Sequence, residues 1–351
     1  MPAVWTPRHA GHAPGGGYWL GVERPGDEEP PRGEILRAAL ETAGAPIHLA
    51  TLHGDEPVLR VHDADFLDWF SRAWSEWEAA GLVGETGQHR VVPYVFALPQ
   101  LTSGRPVPEP GAVWARSGRF AMDTMTLIAP GTYDAARGAV DVALTACDLV
   151  AGGTHRAAYA ACRPPGHHAG AALYGGSCYL NNAAVAAQHL RDGGAEKVAV
   201  LDIDAHHGNG TQELFYARDD VFSGSVHVDP AQGWFPHFLG FADERGSGIG
   251  HGWNRNIPVP PGTGDDGWLD AVHHLAEEAR RFAPSTLVVS LGVDAAAADP
   301  ESPLQVTASG FARAGRALAS IGVPTVFVQE GGYDLEHLGP LVLAVLRGFE
   351  S

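Results

Sequence analysis

Leu201-Asp202-Ile203-Asp204-Ala205-His206-His207-Gly208-Asn209-Gly210 follows directly on the apolar run Lys197-Val198-Ala199-Val200. A short, continuous apolar run of this kind predicts a strand buried on both faces, as in a parallel sheet. Two carboxylates and two imidazoles crowd its carboxyl end. Alternation along a strand would send Asp202, Asp204 and His206 to one side. The glycines behind them allow a sharp turn and an open site. A solvated polar turn is the plainer alternative. Four ionisable groups gathered at the end of an apolar strand point instead to chemistry.

The same arrangement recurs outward from this stretch. Ala157 to Cys162 reads as a strand and runs into Arg163-Pro164-Pro165-Gly166-His167-His168. Val221 to Val228 reads as another. Thr286 to Leu291 is followed by Gly292-Val293-Asp294, and Pro324 to Val328 by Gln329-Glu330-Gly331-Gly332-Tyr333-Asp334. Between them lie helical patterns: Thr132 to Leu149, with Thr132 as cap and Gly152-Gly153 as stop, then one from about Asn181, Asp266 to Phe282, Phe311 to Ser320 and Leu338 to Phe349. Strands alternating with helices predict an α/β fold, a parallel sheet with helices on both faces. Ligands of such sheets bind at the carboxyl ends of the strands. His167, His168, Asp204, His206, Asp294 and Tyr333 would therefore meet in one cleft.

Earlier in the chain, helices are predicted over Gly33 to Ala43 and Asp63 to Ala80. In the second, Phe66, Trp69, Phe70, Trp74 and Trp77 recur at helical spacing and read as core. Residues 83–118, which include Glu109, read as a long surface excursion, and residues 230–255 as a second. No repeat or linker interrupts the chain, so residues 1–351 are expected to form a single domain.

Composition narrows the function classes. The formal charge is -18, from 23 basic and 41 acidic residues. That argues against a nucleic-acid partner and suits a cationic substrate, although solubility explains it as well. The three cysteines, Cys147, Cys162 and Cys178, predict no disulfide framework and a reducing compartment. No signal peptide or membrane-spanning run is legible, so no membrane partner is expected and the cytoplasm is the expected location.

Asp204, His206 and Asp294 offer two oxygens and one nitrogen, a three-ligand set that leaves room for water and substrate. Zinc suits it, and Fe(II), Co(II) or Mn(II) suit the carboxylates. His167 and His168 fit general acid and base roles, with Asp202 and Asn209 each able to orient one ring. The Tyr333 phenol can donate to a developing oxyanion. Together these describe hydrolysis of an amide or ester. Each has a plainer reading: the His pair as a capped turn, Asp294 as a helix cap, Tyr333 as packing.

Arg163-Pro-Pro-Gly-His-His-Ala169, Cys178-Tyr-Leu-Asn-Asn-Ala183, Asp202 to Gln212, Gly292-Val-Asp-Ala295 and Glu330-Gly-Gly-Tyr333 resemble the metal-dependent histone deacetylase family, in its order and roughly its spacing. Phe120 to Gly131, His227-Val-Asp-Pro230, Phe235-Pro236, Ala242 to Arg245 and Asn256-Ile-Pro258 resemble its bacterial acetylpolyamine amidohydrolases. The resemblance implies the arginase/deacetylase fold, zinc on Asp204, His206 and Asp294, His167 and His168 as acid/base pair, and Tyr333 as oxyanion donor. It also implies a structural potassium ion near Asp202, Asp204, His206, Ser225 and Val226, and places Arg32 near an inner cavity. The arginase branch carries further aspartates for a second metal where this chain has Gly208 and Gly292, so one metal is expected.

For the substrate, Glu301 stands where a polyamine-selective relative carries a glutamate, and a rim carboxylate favours a second ammonium. The resemblance implies that Gly176 and Ser177 line an acyl tunnel, with serine in place of the family's usual aromatic wall, and that Trp234 or Phe235 supplies the other wall; Glu109 is a further candidate contact. The expected reaction is deacetylation of N-acetylated amines, acetylpolyamines first. The alternatives are acetyl-lysine in proteins and a bulkier acyl amine. A homodimer built on the two excursions is expected from the same resemblance.

Overall fold

The computed structural model describes residues 1–351. In chain order its main elements are β1 (Ala3–Trp5), α1 (Pro31–Thr42), β2 (Ile47–Leu49), α2 (Ala64–Ala79), α3 (Thr132–Ala151), β3 (Ala157–Ala160), α4 (Asn182–Asp192), β4 (Val198–Asp202), α5 (Asn209–Phe215), β5 (Val221–Val228), β6 (Asn254–Val259), α6 (Asp265–Phe282), β7 (Thr286–Leu291), α7 (Ala308–Ala319), β8 (Thr325–Gln329) and α8 (Leu338–Glu350). The eight strands form one sheet in the order β2-β1-β3-β8-β7-β4-β5-β6. Every pairing in it is parallel.

The apolar runs are continuous because both faces are covered. In β4, Ala199 and Leu201 enter one core with Leu287, Val289 and Leu291 of β7 and with α6, α7 and α8. Val198 and Val200 enter the opposite core, built with α3 and α4. A strand with one solvated face would alternate apolar and polar residues instead. The aromatic stripe of α2 forms a third cluster: Phe66, Trp69, Phe70 and Trp77 are buried against Phe120, Tyr174 and Tyr179. Phe66 and Phe70 stack at 5.9 Å, and Phe70 stacks on Tyr179 at 5.5 Å.

Several details differ from the sequence reading. Thr132 is the first residue of α3, not its cap; Gly131, at φ 79°, caps the helix, and the Thr132 hydroxyl accepts from Ala129 N at 3.0 Å. Asn181 caps α4, accepting from Ala184 N at 2.9 Å. Three strands had no legible signal. β1 and β2 are three residues each, and β6 is an edge strand with Pro258 in it, a position where a missing N–H is tolerated. Residues 83–118 are mainly loop with short helical turns at Leu82–Thr86, Pro99–Thr102 and Val113–Arg116. Asp202 is the last residue of β4, so strand alternation does not govern Asp204 and His206, which stand on the following loop.

Candidate active site

Beyond Asp202 the chain turns on its own carboxylates. Asp202 Oδ1 accepts from Asp204 N at 3.0 Å, and Asp204 Oδ1 accepts from His206 N at 2.8 Å. The Ala205 amide donates to Asp294 Oδ1 at 2.8 Å, tying this loop to the one that follows β7. The result brings ligand atoms of Asp204, His206 and Asp294 within 4.8 Å of one another. His206 Nδ1 lies 2.9 Å from Asp294 Oδ2 and 3.2 Å from Asp204 Oδ1. Asp204 and Asp294 are fully buried. Two buried carboxylates facing a single imidazole leave negative charge that burial penalises and a divalent cation neutralises, so the donor set fits a metal.

The two positions without the further carboxylates of a two-metal site are glycines pressed against existing side chains. A Cβ at Gly292 would lie 2.1 Å from Asp204 Oδ2, and one at Gly208 would lie 2.3 Å from Asp202 Oδ2. A side chain at either place would require the carboxylate it meets to shift, and neither glycine offers a ligand.

The two histidines project from the turn after β3 with ring centroids 4.1 Å apart. Buried Glu330 anchors that turn, accepting from Gly166 N at 2.6 Å and His167 N at 3.1 Å. His167 Nδ1 lies 2.8 Å from Asp202 Oδ2, and His168 Nδ1 lies 2.7 Å from Asn209 Oδ1. The Asn209 amide donates to His168 O at 3.3 Å, which fixes its carbonyl toward the ring. Each Nδ1–H is therefore a donor, and each Nε2 is left for the cleft. Burial works against a charged ring at both. At His167 the carboxylates of Asp202 and Asp204 outweigh it and push the ring up to about 10. At His168 burial and the neighbouring charged His167 hold the ring well below its ordinary value.

Tyr333 arrives on the loop after β8, with the Arg32 guanidinium 4.8 Å over its ring. Arg32 Nε donates to Gly332 O and Arg32 Nη2 to Glu330 O, both at 2.7 Å. Glu28 in turn takes Arg32 Nη1 at 2.9 Å and Arg163 Nε at 2.8 Å. Burial pushes the Tyr333 phenol well above its ordinary value, so it keeps its proton.

The remaining sequence candidates divide. Phe235 meets His168 edge-on at 4.9 Å, and Trp234 stacks on His206 at 6.3 Å. Gly176 packs so closely on His168 that a Cβ would lie 2.3 Å from Cδ2. Its amide donates to Asp123 Oδ2 at 2.6 Å, and Ser177 N donates to Thr126 Oγ1 at 2.8 Å. Ser177 holds φ at 63°, a left-handed conformation that serine rarely takes. Glu301 lies beside Asp27; burial and that neighbouring carboxyl push it up to about 7. Ser225 pairs in register with Asp202, and its hydroxyl lies 2.8 Å from His227 Nδ1, with Val226 buried beside it. Glu109 pairs with arginines of its own chain. As an exposed carboxylate on the excursion it is taken up by Arg116 Nε at 3.3 Å and Arg72 Nη2 at 3.4 Å. Sequence reading gave Asp299, Glu330, Glu28 and Asp123 no role; all act by accepting backbone amides or guanidinium groups, which leaves no spacing to recognise.

Comparison with known proteins gives the family. The family model described as histone deacetylase domain matches residues 27–349. The chain belongs to that family. It is 43% identical over 322 residues to an acetylpolyamine amidohydrolase of Mycoplana ramosa, covering 92% of this chain and 91% of that one. It is 40% identical to acetylpolyamine amidohydrolase 1 of Pseudomonas aeruginosa, over 100% of this chain and 99% of the relative. Among solved structures, an acetylpolyamine aminohydrolase from Burkholderia pseudomallei superposes with a TM-score of 0.92 at 39% identity, covering 100% of this chain and 99% of that chain.

Proposed function

We propose that this protein is a metal-dependent amidohydrolase that removes acetyl groups from acetylpolyamines. The observation that carries the reading is the meeting of the Asp204–His206–Asp294 set with the His167–His168 pair and Tyr333 at the ends of four parallel strands. The names of relatives covering nearly the whole chain support the substrate class.

Asp204, His206 and Asp294 would hold one zinc ion, or Fe(II) or Co(II) in its place, which when bound lowers the pKa of water and polarises a carbonyl. His168, neutral and fixed by Asn209, accepts the proton of the attacking water at Nε2. His167, charged and braced by Asp202, stabilises the negative charge that develops and supplies a proton toward the leaving amine. The protonated Tyr333 phenol donates to the carbonyl oxygen as it becomes an oxyanion. Phe235, Trp234, Gly176 and Ser177 shape the passage for the acyl amine. Glu301, with Asp27 beside it, receives the distal ammonium of a polyamine. Asp202, Ser225 and Val226 would hold a structural potassium ion. The Ser225 hydroxyl donates to His227, whose other nitrogen donates to Gly240 O at 2.8 Å, so the Ser225 oxygen keeps its lone pairs for a cation.

Residues 1–351 act as one domain in this reading. Exposed Tyr94, Leu98, Leu101 and Trp114 on the excursion, with Phe238 on the second, support a homodimer, which light scattering would register as twice the chain mass. No helix is long and apolar enough to cross a membrane. The three cysteines are buried and free, which suits a cytoplasmic setting. The test of substrate class is turnover of acetylputrescine and acetylspermidine against an acetyl-lysine peptide on the zinc-loaded protein. A higher kcat/KM for the polyamines is expected; a higher value for the peptide would move the reading to protein deacetylation.

A further inference from the structure

We propose that Asp299 is the positioning residue that sets Tyr333 over the cleft and joins it to the Glu301 rim. The inference rests on the reading of Tyr333 as oxyanion donor. Asp299 is buried, on the segment that follows β7. Its Oδ2 accepts two consecutive amides, Tyr333 N at 2.7 Å and Asp334 N at 3.2 Å. Its Oδ1 accepts Glu301 N at 3.0 Å. One carboxylate thus closes a bridge between the loop that carries the phenol and the segment that carries the rim glutamate.

The bridge has no backbone substitute. Up to Gly331 the loop is tied by strand-like bonds, with Glu330 N on Leu291 O at 2.9 Å and Val293 N on Gly331 O at 3.2 Å. From Gly332, at φ 121°, the chain swings away from the sheet. The next two amides find their acceptor in Asp299 alone. Successive N–H groups converging on one anionic oxygen make a strong, directional grip, because charge-assisted bonds are shorter and stronger than neutral ones. Arg32 holds the same loop by its carbonyls and by the face of the Tyr333 ring, from the opposite end of the chain. Arginine on the carbonyls and Asp299 on the amides leave the phenol a single orientation. A group so fixed needs no reorganisation when charge develops, whereas a small displacement costs rate.

Asp299→Ala in the metal-loaded full chain is expected to lower kcat on the order of 100-fold with KM little changed, as for an interaction used in the transition state. Asp299→Asn keeps a carbonyl oxygen for the Tyr333 and Asp334 amides and is expected to restore most of that rate. Those two amides should lose hydrogen-exchange protection in Asp299→Ala while α8 keeps its own. In a Tyr333→Phe background, Asp299→Ala should add almost nothing, since both changes disable one function. A full multiplicative effect in that background, a KM change with kcat intact, or unchanged exchange at Tyr333 and Asp334 would overturn the proposal. Wild-type turnover by Tyr333→Phe itself would overturn the oxyanion assignment beneath it, a result distinct from any of these.

Discussion

The loops after β4 and after β8 deliver groups to the same cleft but are fastened in opposite ways. The first is held largely from within, with the Ala205 amide on Asp294 Oδ1 as an outside tie. Asp202 takes the Asp204 amide, Asp204 takes the His206 amide, and the helix that follows begins at Asn209, the partner of His168. The second is held from outside, by Arg32 some 300 positions earlier in the chain, by Asp299 and by Asp204, whose Oδ2 accepts Gly331 N at 2.8 Å. The first loop carries its chemistry in a local motif. The borrowed loop carries one phenol whose aim depends on distant residues.

The sharpest way to break the first side is to remove a ligand. Asp294→Ala should abolish metal retention, measured by elemental analysis, and cut turnover by more than about 1000-fold, because three ligands are the minimum of a catalytic site. The second side breaks most severely at Glu28. Burial opposes its charge, but the guanidinium of Arg163 first, with His12 and Arg32, holds the carboxyl well below the ordinary glutamate value of 4.5. Glu28→Gln would leave buried guanidinium charge uncompensated and should cost about 3–5 kcal/mol in chemical denaturation. The pH dependence follows from the depressed value. The ionised Glu28 stabilises the fold above its unfolded value, and that contribution is lost as pH falls below about 4.5 toward the folded value, so the variant should show a flatter acid limb.

Smaller effects sharpen the contrast. Tyr333→Phe should lower kcat by about 100- to 1000-fold without loss of stability, the usual cost of one oxyanion donor. Asn209→Ala should cost roughly 10- to 100-fold in kcat, since it frees only the orientation of His168. Ser177→Gly relieves a left-handed serine but adds chain entropy to the unfolded state. It should raise stability by less than about 1 kcal/mol in a thermal melt.

That contrast also accounts for what the sequence made legible. The central strands were readable because both their faces are buried, and their ends because ionisable groups follow apolar runs without a gap. The aromatic stripe of α2 was readable from its period. Asp202 to Asn209 could be read as a unit since its ionisable groups are adjacent in the sequence. Asp299 and Glu28 could not, because a carboxylate that accepts amides or guanidinium groups from remote segments leaves no periodicity. The strands β1, β2 and β6 escaped as well: three residues, or a strand with proline in it, fall below any pattern. On its exposed loop, Glu109 pairs with Arg72 and Arg116, contacts between segments that no spacing announces.

The most direct test of the account is to strip the protein with a chelator and restore zinc stepwise while following acetylspermidine turnover. The account predicts no turnover in the stripped protein and full recovery at one equivalent of zinc per chain. Turnover that survives chelation, or that keeps rising to two equivalents, would contradict it.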